Sequence, residues 1–387
     1  MRNLKFVLLP IAGALLALAC SNSKIPGAWK ELDTGTGDAF FSVNFVDSKT
    51  GWLNGQTDRT YQSPDENGNA NGNANANASA RTAKTANKNA KTQDPLQANQ
   101  GFEVLHTTDG GATWAEVPDL FKNKIRSVWF VDPSLGWALT IDRDILHTTD
   151  GGTSWSLQRK AGTVKVKLIG NRHDPVMDMP EQIDQIHFID PNHGWAWGGG
   201  QKTDYTEQPG ALLSTVNGGT NWNEVPYPFQ QNVSTIFFRN AQHAWASSLD
   251  GGFYKTVDGG LNWTRIQSRQ PELVFSSVYF LDDDNGWVVG RSGRMARTSD
   301  GGRTWRKMVE IKDQFLMRSI AFSDKNHGWA VGDNGAILYT PDGGDTWLSL
   351  DSPITTKLTD IVFINDHAGW ATGLAGSIIE YQPLTGK

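Results

Sequence analysis

One cysteine in 387 residues rules out an intramolecular disulfide, so the chain holds its fold by burial and hydrogen bonding. An excess of positive charge is also missing: 35 Lys and Arg stand against 41 Asp and Glu, a net of -6. Proteins that bind nucleic acid present a basic face to its phosphates, so nucleic acid is not an expected partner. No apolar run is long enough to cross a bilayer; the longest, residues 6–19, falls short of the ~20 residues a spanning helix needs. What the chain does have is 41 glycines and 16 tryptophans, a glycine-rich and tryptophan-rich mixture with neither a collagen period nor a disordered composition.

Arg2 and Lys5 precede the apolar run, and the polar sequence SNSK follows it at once, which is the layout of an export signal. The junction reads LALAC and ends on the single cysteine, Cys20. It resembles a bacterial lipobox, which implies a lipoprotein signal peptide over 1–19, lipidation of Cys20 and a tether over 20–27. The expected location is extracytoplasmic, on a membrane of the bacterial cell envelope. Removing residues 1–19 leaves 33 basic against 41 acidic residues, a net of -8.

Self-similarity dominates the remainder. A first motif, F-x-x-x-x-x-G-W, ends at Trp52, Trp137, Trp195, Trp245, Trp287, Trp329 and Trp370, with Ala244 replacing Gly in the fourth copy. A second, T-x-D-G-G-x-x-W, occurs six times with its acid at Asp109, Asp150, Asn217, Asp258, Asp300 and Asp342. The two alternate with a period of 41 or 42 residues, the length of a four-stranded propeller blade. A β-branched residue stands two before each motif-one Phe, from Val43 to Ile361, as a buried strand requires. DGG is hairpin chemistry, because Asp bonds its own backbone and Gly accepts positive φ. Seven copies of the first motif face six of the second, and Trp29 in GAWKEL supplies the missing one. Residues 28–34 are therefore expected to form the outer strand of the last blade, whose inner strands come from 358–381. The predicted fold is all-β: a seven-bladed, four-stranded propeller over 28–382, closed by its N-terminal strand, and a monomer.

The repeat F-x-D-x-x-x-G-W-x-x-G followed by T-x-D-G-G-x-T-W, with the lipobox, resembles the photosystem II stability and assembly factor family of BNR-type propellers. The DGG-x-T-W half is also similar to the Asp box of sialidases and sortilin-like receptors. The first resemblance implies a non-enzymatic protein that binds a protein partner, a membrane-complex subunit, with arginines near its channel.

Three insertions break the period: 44 extra residues between Trp52 and Asp109, 17 between Asp150 and Trp195, and 9 between Trp195 and Asn217. The first contains an Asn/Ala-rich tract with little to bury, and disorder is expected over 56–100. Blade topology puts all three on one face, opposite the DGG turns, where long loops commonly carry binding. The residue four before each motif-one Phe should line the channel at that face: Phe41, Arg126, Asp184, Ser234, Ser276, Arg318 and Thr359. Arg126 and Arg318, with Arg291 and Arg294 of blade 5, are candidate contacts for a partner's carboxylates; an ion pair with Asp184 is the structural alternative. In the first insertion, Arg81, Lys84, Lys88 and Lys91 have helical spacing and no acid among them.

Catalytic residues and cofactors are not expected. The six Asp-box positions fall in separate turns and read as structural, and His193, His243 and His327 precede the Trp of different blades, so no metal site is expected. The alternative function is a glycan-binding or sialidase-like glycoside-hydrolase propeller using the same channel. Trp197 is its candidate stacking platform, and Tyr279, Glu116, Glu224 and Glu310 would have to converge.

Overall fold

Each repeat folds into one antiparallel sheet, because its apolar residues alternate and its glycine turns reverse the chain. The computed structural model describes residues 27–56, 102–117, 124–168, 176–202, 206–208, 210–229, 232–267, 274–290, 294–307 and 316–383. The signal segment 1–19, Cys20, most of its tether, residues 57–100 with their four cations, Arg291 and Glu310 lie outside these. Blade 1 comprises Ala39–Phe45, Gly51–Gln56, Phe102–Thr107 and Ala115–Glu116, hydrogen-bonded in that order from the axis outward. The innermost strands of blades 2 to 6 are Ile125–Phe130, Gln185–Phe188, Val233–Phe238, Phe275–Phe280 and Met317–Phe322. Blade 7 takes Leu358–Asn365, Ala368–Gly373 and Ile378–Pro383 from the end of the chain and Gly27–Leu32 from its start, with Trp29 opposite Tyr381. The propeller has seven four-stranded blades, closed by the N-terminal strand. Two boundaries move by a residue: Gly27 already belongs to the closing strand, and Gln56 ends the second strand of blade 1.

The two motif tryptophans and the motif phenylalanine form one repeated packing unit. Each motif-one Trp lies face to face on the motif-one Phe of the next blade, with centroids 3.5–4.0 Å apart. Trp370 on Phe45, at 3.6 Å, completes the circle across the seam. In five blades the outer-strand Trp then meets the same Phe edge-on, at 5.8–6.3 Å, and Trp29 does so for Phe363 of blade 7 at 6.0 Å. Such pairs contribute ~0.5–1.5 kcal/mol each beyond the area they bury. The Gly before the Trp makes room for this ring: a Cβ at Gly136 would lie 2.5 Å from the Phe130 ring. Blade 4 has Ala244 there, and in that blade the outer Trp263 packs on Phe229 instead.

Both turn types share a face. In all six DGG turns the first glycine N–H donates to a carbonyl in the turn between the two inner strands of its own blade, as Gly110 to Lys49 and Gly343 to Asn326, at 2.7–2.9 Å. Four motif-one tryptophans also donate Nε1–H to the DGG turn of the next blade, among them Trp137 to the Gly218 carbonyl and Trp370 to that of Gly110.

Two of the insertions pair with each other. Val176–Pro180, Thr163–Leu168, Thr206–Gln208 and Gln201–Lys202 form an accessory four-stranded sheet in that order. Its base is pinned to blade 2 by Arg159, which grips Glu181 with both terminal nitrogens, and to blade 3 by the Gln182–Gly210 bridge.

Two outcomes follow from this packing. Gly136→Ala should cost about 1–3 kcal/mol in denaturant unfolding, since the added methyl meets a closely packed ring. Deleting residues 28–34 should lower the melting temperature and abolish a single cooperative transition; an unchanged melting curve contradicts the closure.

Candidate functional site

The innermost strands start at the insertion-bearing face, and their first side chains converge on the axis. A cavity of about 600 Å³ opens there, and all seven positions counted from the repeat line it: Phe41, Arg126, Asp184, Ser234, Ser276, Arg318 and Thr359. One residue further along each strand, a ring of polar side chains binds neighbouring blades together. Ser127 Oγ accepts the Ile186 N–H, and Ser277 Oγ accepts that of Ile320, both at 3.4 Å. At the seam this position is Asp360, whose Oδ2 accepts the Val43 N–H at 3.2 Å while Oδ1 accepts Ser319 Oγ at 3.0 Å and its neighbour Ile361 N at 2.9 Å.

Both arginines of the cavity are held by one edge. Arg126 Nε lies 2.8 Å from Asp184 Oδ1, so blades 2 and 3 are joined by the ion pair that the sequence left as an alternative. Arg143 approaches the same oxygen at 3.7 Å. Arg318 donates Nε–H to Asp333 Oδ1 at 2.7 Å, within its own blade. With side chains 37% and 29% exposed, both guanidiniums remain open to the cavity, and such pairs contribute at most ~1 kcal/mol to stability. Fixing Nε on a carboxylate orients the fork, and the fork is what recognises another carboxylate. His187 also lines the cavity, but burial lowers its pKa to about 4, so it is uncharged at neutral pH and adds no third cation.

The other sequence candidates fall in different places. Arg294 is exposed just before the third strand of blade 5, Met295–Ser299, and Arg291 lies outside the described residues. Trp197 reaches the cavity wall but is only 8% exposed, its ring tilted against Phe238 in the core. Tyr279 gives its hydroxyl to the Phe322 carbonyl at 3.1 Å, and Glu116 and Glu224 are exposed on outer strands. His193 and His327 bond the aspartates of their own turns, Asp190 and Asp324. His243 pairs with Asp283 of the next blade.

The Asp-box residues occupy six separate turns on the opposite face. Asp109 shows the pattern: Oδ1 accepts Thr107 Oγ1 and the Thr113 N–H, Oδ2 accepts Thr113 Oγ1, and Thr107 Oγ1 takes the Gly111 N–H. The hydrogen bonds from Thr113 lead in lowering its pKa to about 2, and those from Ser154 do the same for Asp150. Asn217 keeps the contacts to one oxygen, to Thr215 Oγ1 and the Asn221 N–H, both at 3.0 Å. A groove of about 740 Å³ lies between these turns in blades 4 and 5, and Asp258, Asp283 and Asp300 in it are hydrogen-bonded. Asp283 there serves Arg239 and His243 of blade 4, and Asp300 serves its own turn.

Residues 214–315 and 308–382 match the family model described as photosynthesis system II assembly factor YCF48. Over those residues the chain is similar to that family. Two solved YCF48 structures share the propeller fold. YCF48 bound to a D1 peptide is 20% identical with a TM-score of 0.62, over 92% of this chain and 96% of that one. YCF48 from Cyanidioschyzon merolae is 20% identical with a TM-score of 0.63, over 92% of this chain and 100% of that one. No curated protein matches the chain. The sequence reading missed Arg143 and Asp333, which carry no repeat signal, and Asp360. Asp360 was visible as the one acid in a column of Ser, Thr and Gln three residues before each Phe.

The seam carboxyl gives a pH test. Burial pushes Asp360 up to about 6, against three hydrogen bonds that favour its charged form. The folded state holds this proton more tightly than the unfolded chain does. Its stabilising contribution is therefore complete below the ordinary carboxylate range and is lost as pH rises through about 6. The stability of the native protein relative to Asp360→Asn should fall by about 2 kcal/mol between roughly pH 4 and pH 7. A pH-independent difference between the two unfolding curves contradicts the assignment.

Proposed function

We propose that this protein is a lipid-anchored, extracytoplasmic assembly or stability factor that binds an exposed acidic segment of a membrane-complex subunit in its axial cavity, without covalent chemistry. The carrying observation is the pair Arg126 and Arg318, oriented by Asp184 and Asp333 and open to one cavity on a protein of net negative charge. Support comes from the family's description as an assembly factor and from a relative whose structure holds a D1 peptide. The lipid anchor rests on the LALAC sequence ending at Cys20. A monomer suffices, because each chain closes its own ring. The glycan alternative relied on Trp197 as a platform, and a ring 8% exposed offers no face to a sugar.

In-cell crosslinking followed by purification from solubilised membranes tests this. Wild type should recover a membrane-complex subunit that an Arg126→Ala/Arg318→Ala variant of unchanged melting temperature loses. Recovery of the same proteins by both, or of none by either, contradicts the arginine-based site.

A further inference from the structure

The closing strand decides which side of the ring the anchor leaves from. Gly27 stands two residues before Trp29, the position that Leu261 holds before Trp263, immediately after a DGG turn. It pairs with Pro383, at the end of the last strand, so the chain enters the propeller at the DGG face and runs toward the cavity face. Seven residue steps lead from Cys20 to Gly27, a reach of at most ~25 Å fully extended. An inner strand such as Ile125–Phe130 is six residues, ~20 Å tall. Turning the cavity toward the membrane would use almost the whole tether merely to pass the ring's edge.

The same face carries an apolar sector on the far side from this exit. In a seven-membered ring, blade 7 stands opposite the junction of blades 3 and 4. The DGG turns of those two blades present Val216, Val257 and Leu261, exposed by 67%, 60% and 56%. They are three of the six large apolar side chains so exposed among the described residues. Blades 1, 2 and 5 place Thr108, Thr149 and Ser299 where Val216 and Val257 stand. Two acids of the repeat are missing in the same sector, although Lys255, Asp258, Arg265 and Asp283 line the groove beside Val257. Asn217 replaces the Asp-box acid in blade 3, and Asn240 replaces in blade 4 the turn acid that blade 5 expands to Asp282, Asp283 and Asp284. Apolar side chains exposed at the tips of adjacent turns on one face can enter a bilayer interface while the charged groups beside them stay in water.

We propose that the DGG face is the membrane-facing side of the ring, resting on the bilayer surface through Val216, Val257 and Leu261, with the cavity turned to the aqueous compartment. This rests on the lipid anchor at Cys20 proposed above. The anchor at blade 7 and the apolar tips at blades 3 and 4 act as two supports on opposite sides, so the disc lies flat and the acidic remainder of the face spans the gap between them.

The test uses the mature lipidated protein in phosphatidylcholine vesicles, carrying a nitroxide on a single introduced cysteine. Val257→Cys reports the proposed contact. Leu249→Cys is the control, since Leu249 is 50% exposed in the same blade but in the turn at the cavity face. The expected result is a several-fold lower accessibility to a water-soluble relaxant at 257 than at 249, lost in a Val216→Asp/Leu261→Asp background with an unchanged melting temperature. Equal accessibility at the two sites, with a diacylglyceryl group found on Cys20 by mass spectrometry, overturns the docking and leaves the anchor standing. Absence of lipid from Cys20 overturns both. Shielding at 257 that occurs in native membranes but not in lipid vesicles assigns the surface to a protein and overturns the lipid contact.

Discussion

Everything in this ring depends on one contact made seven times: an indole of one blade lying flat on the phenyl ring of the next. A single blade cannot bury its own motif tryptophan, because the partner surface belongs to its neighbour. Stability is therefore a property of the closed circle, and the circle has a single non-covalent seam where Trp370 meets Phe45 and Trp29 meets Phe363. The glycine before six of the seven tryptophans, the outer tryptophan set edge-on and the DGG turns all serve this stack. Ala244 tests the rule from within the chain, since the one blade with an extra methyl is the one whose outer tryptophan packs elsewhere.

A scaffold held in this way leaves its two faces free to diverge. At one face the strand starts converge, and the closure geometry brings one side chain per blade to a common cavity. Two of those seven are arginines, each steadied by an aspartate, so their guanidinium forks are oriented before anything binds. The accessory sheet stands on the same face and is anchored at its base by a nearly buried Arg159–Glu181 pair. At the other face the aspartates are consumed in their own turns. Their low pKa values reflect hydrogen bonds within the turn, which is the signature of structure rather than of chemistry.

Blade number, strand order and closure were legible because the repeat is periodic and its breaks are few. Trp29 alone revealed the closing strand, since it stands where six other tryptophans follow a DGG turn. Counting four residues back from each Phe found the cavity lining, because the twist of a blade is the same in every copy. Contacts without a repeat were not legible. Asp333 reaches Arg318 from a turn 15 residues on, and nothing in the local sequence marks it. The accessory sheet joins two insertions that lie on either side of the inner strands of blade 3. Each shows alternation, as in TVKVKL, but no one-dimensional pattern says that they pair. Trp197 read as an exposed aromatic beside an insertion, and its register opposite Gln185 instead turns it into the core.

The central claim is that a protein partner is held at the axial cavity. Amide hydrogen exchange of the protein, alone and with its crosslinked membrane subunit, addresses it directly. Slowed exchange confined to the starts of the inner strands, around Arg126, Ser234, Arg318 and Thr359, is the predicted result. Protection confined to the DGG turns, with these strand starts exchanging as in the free protein, would contradict it.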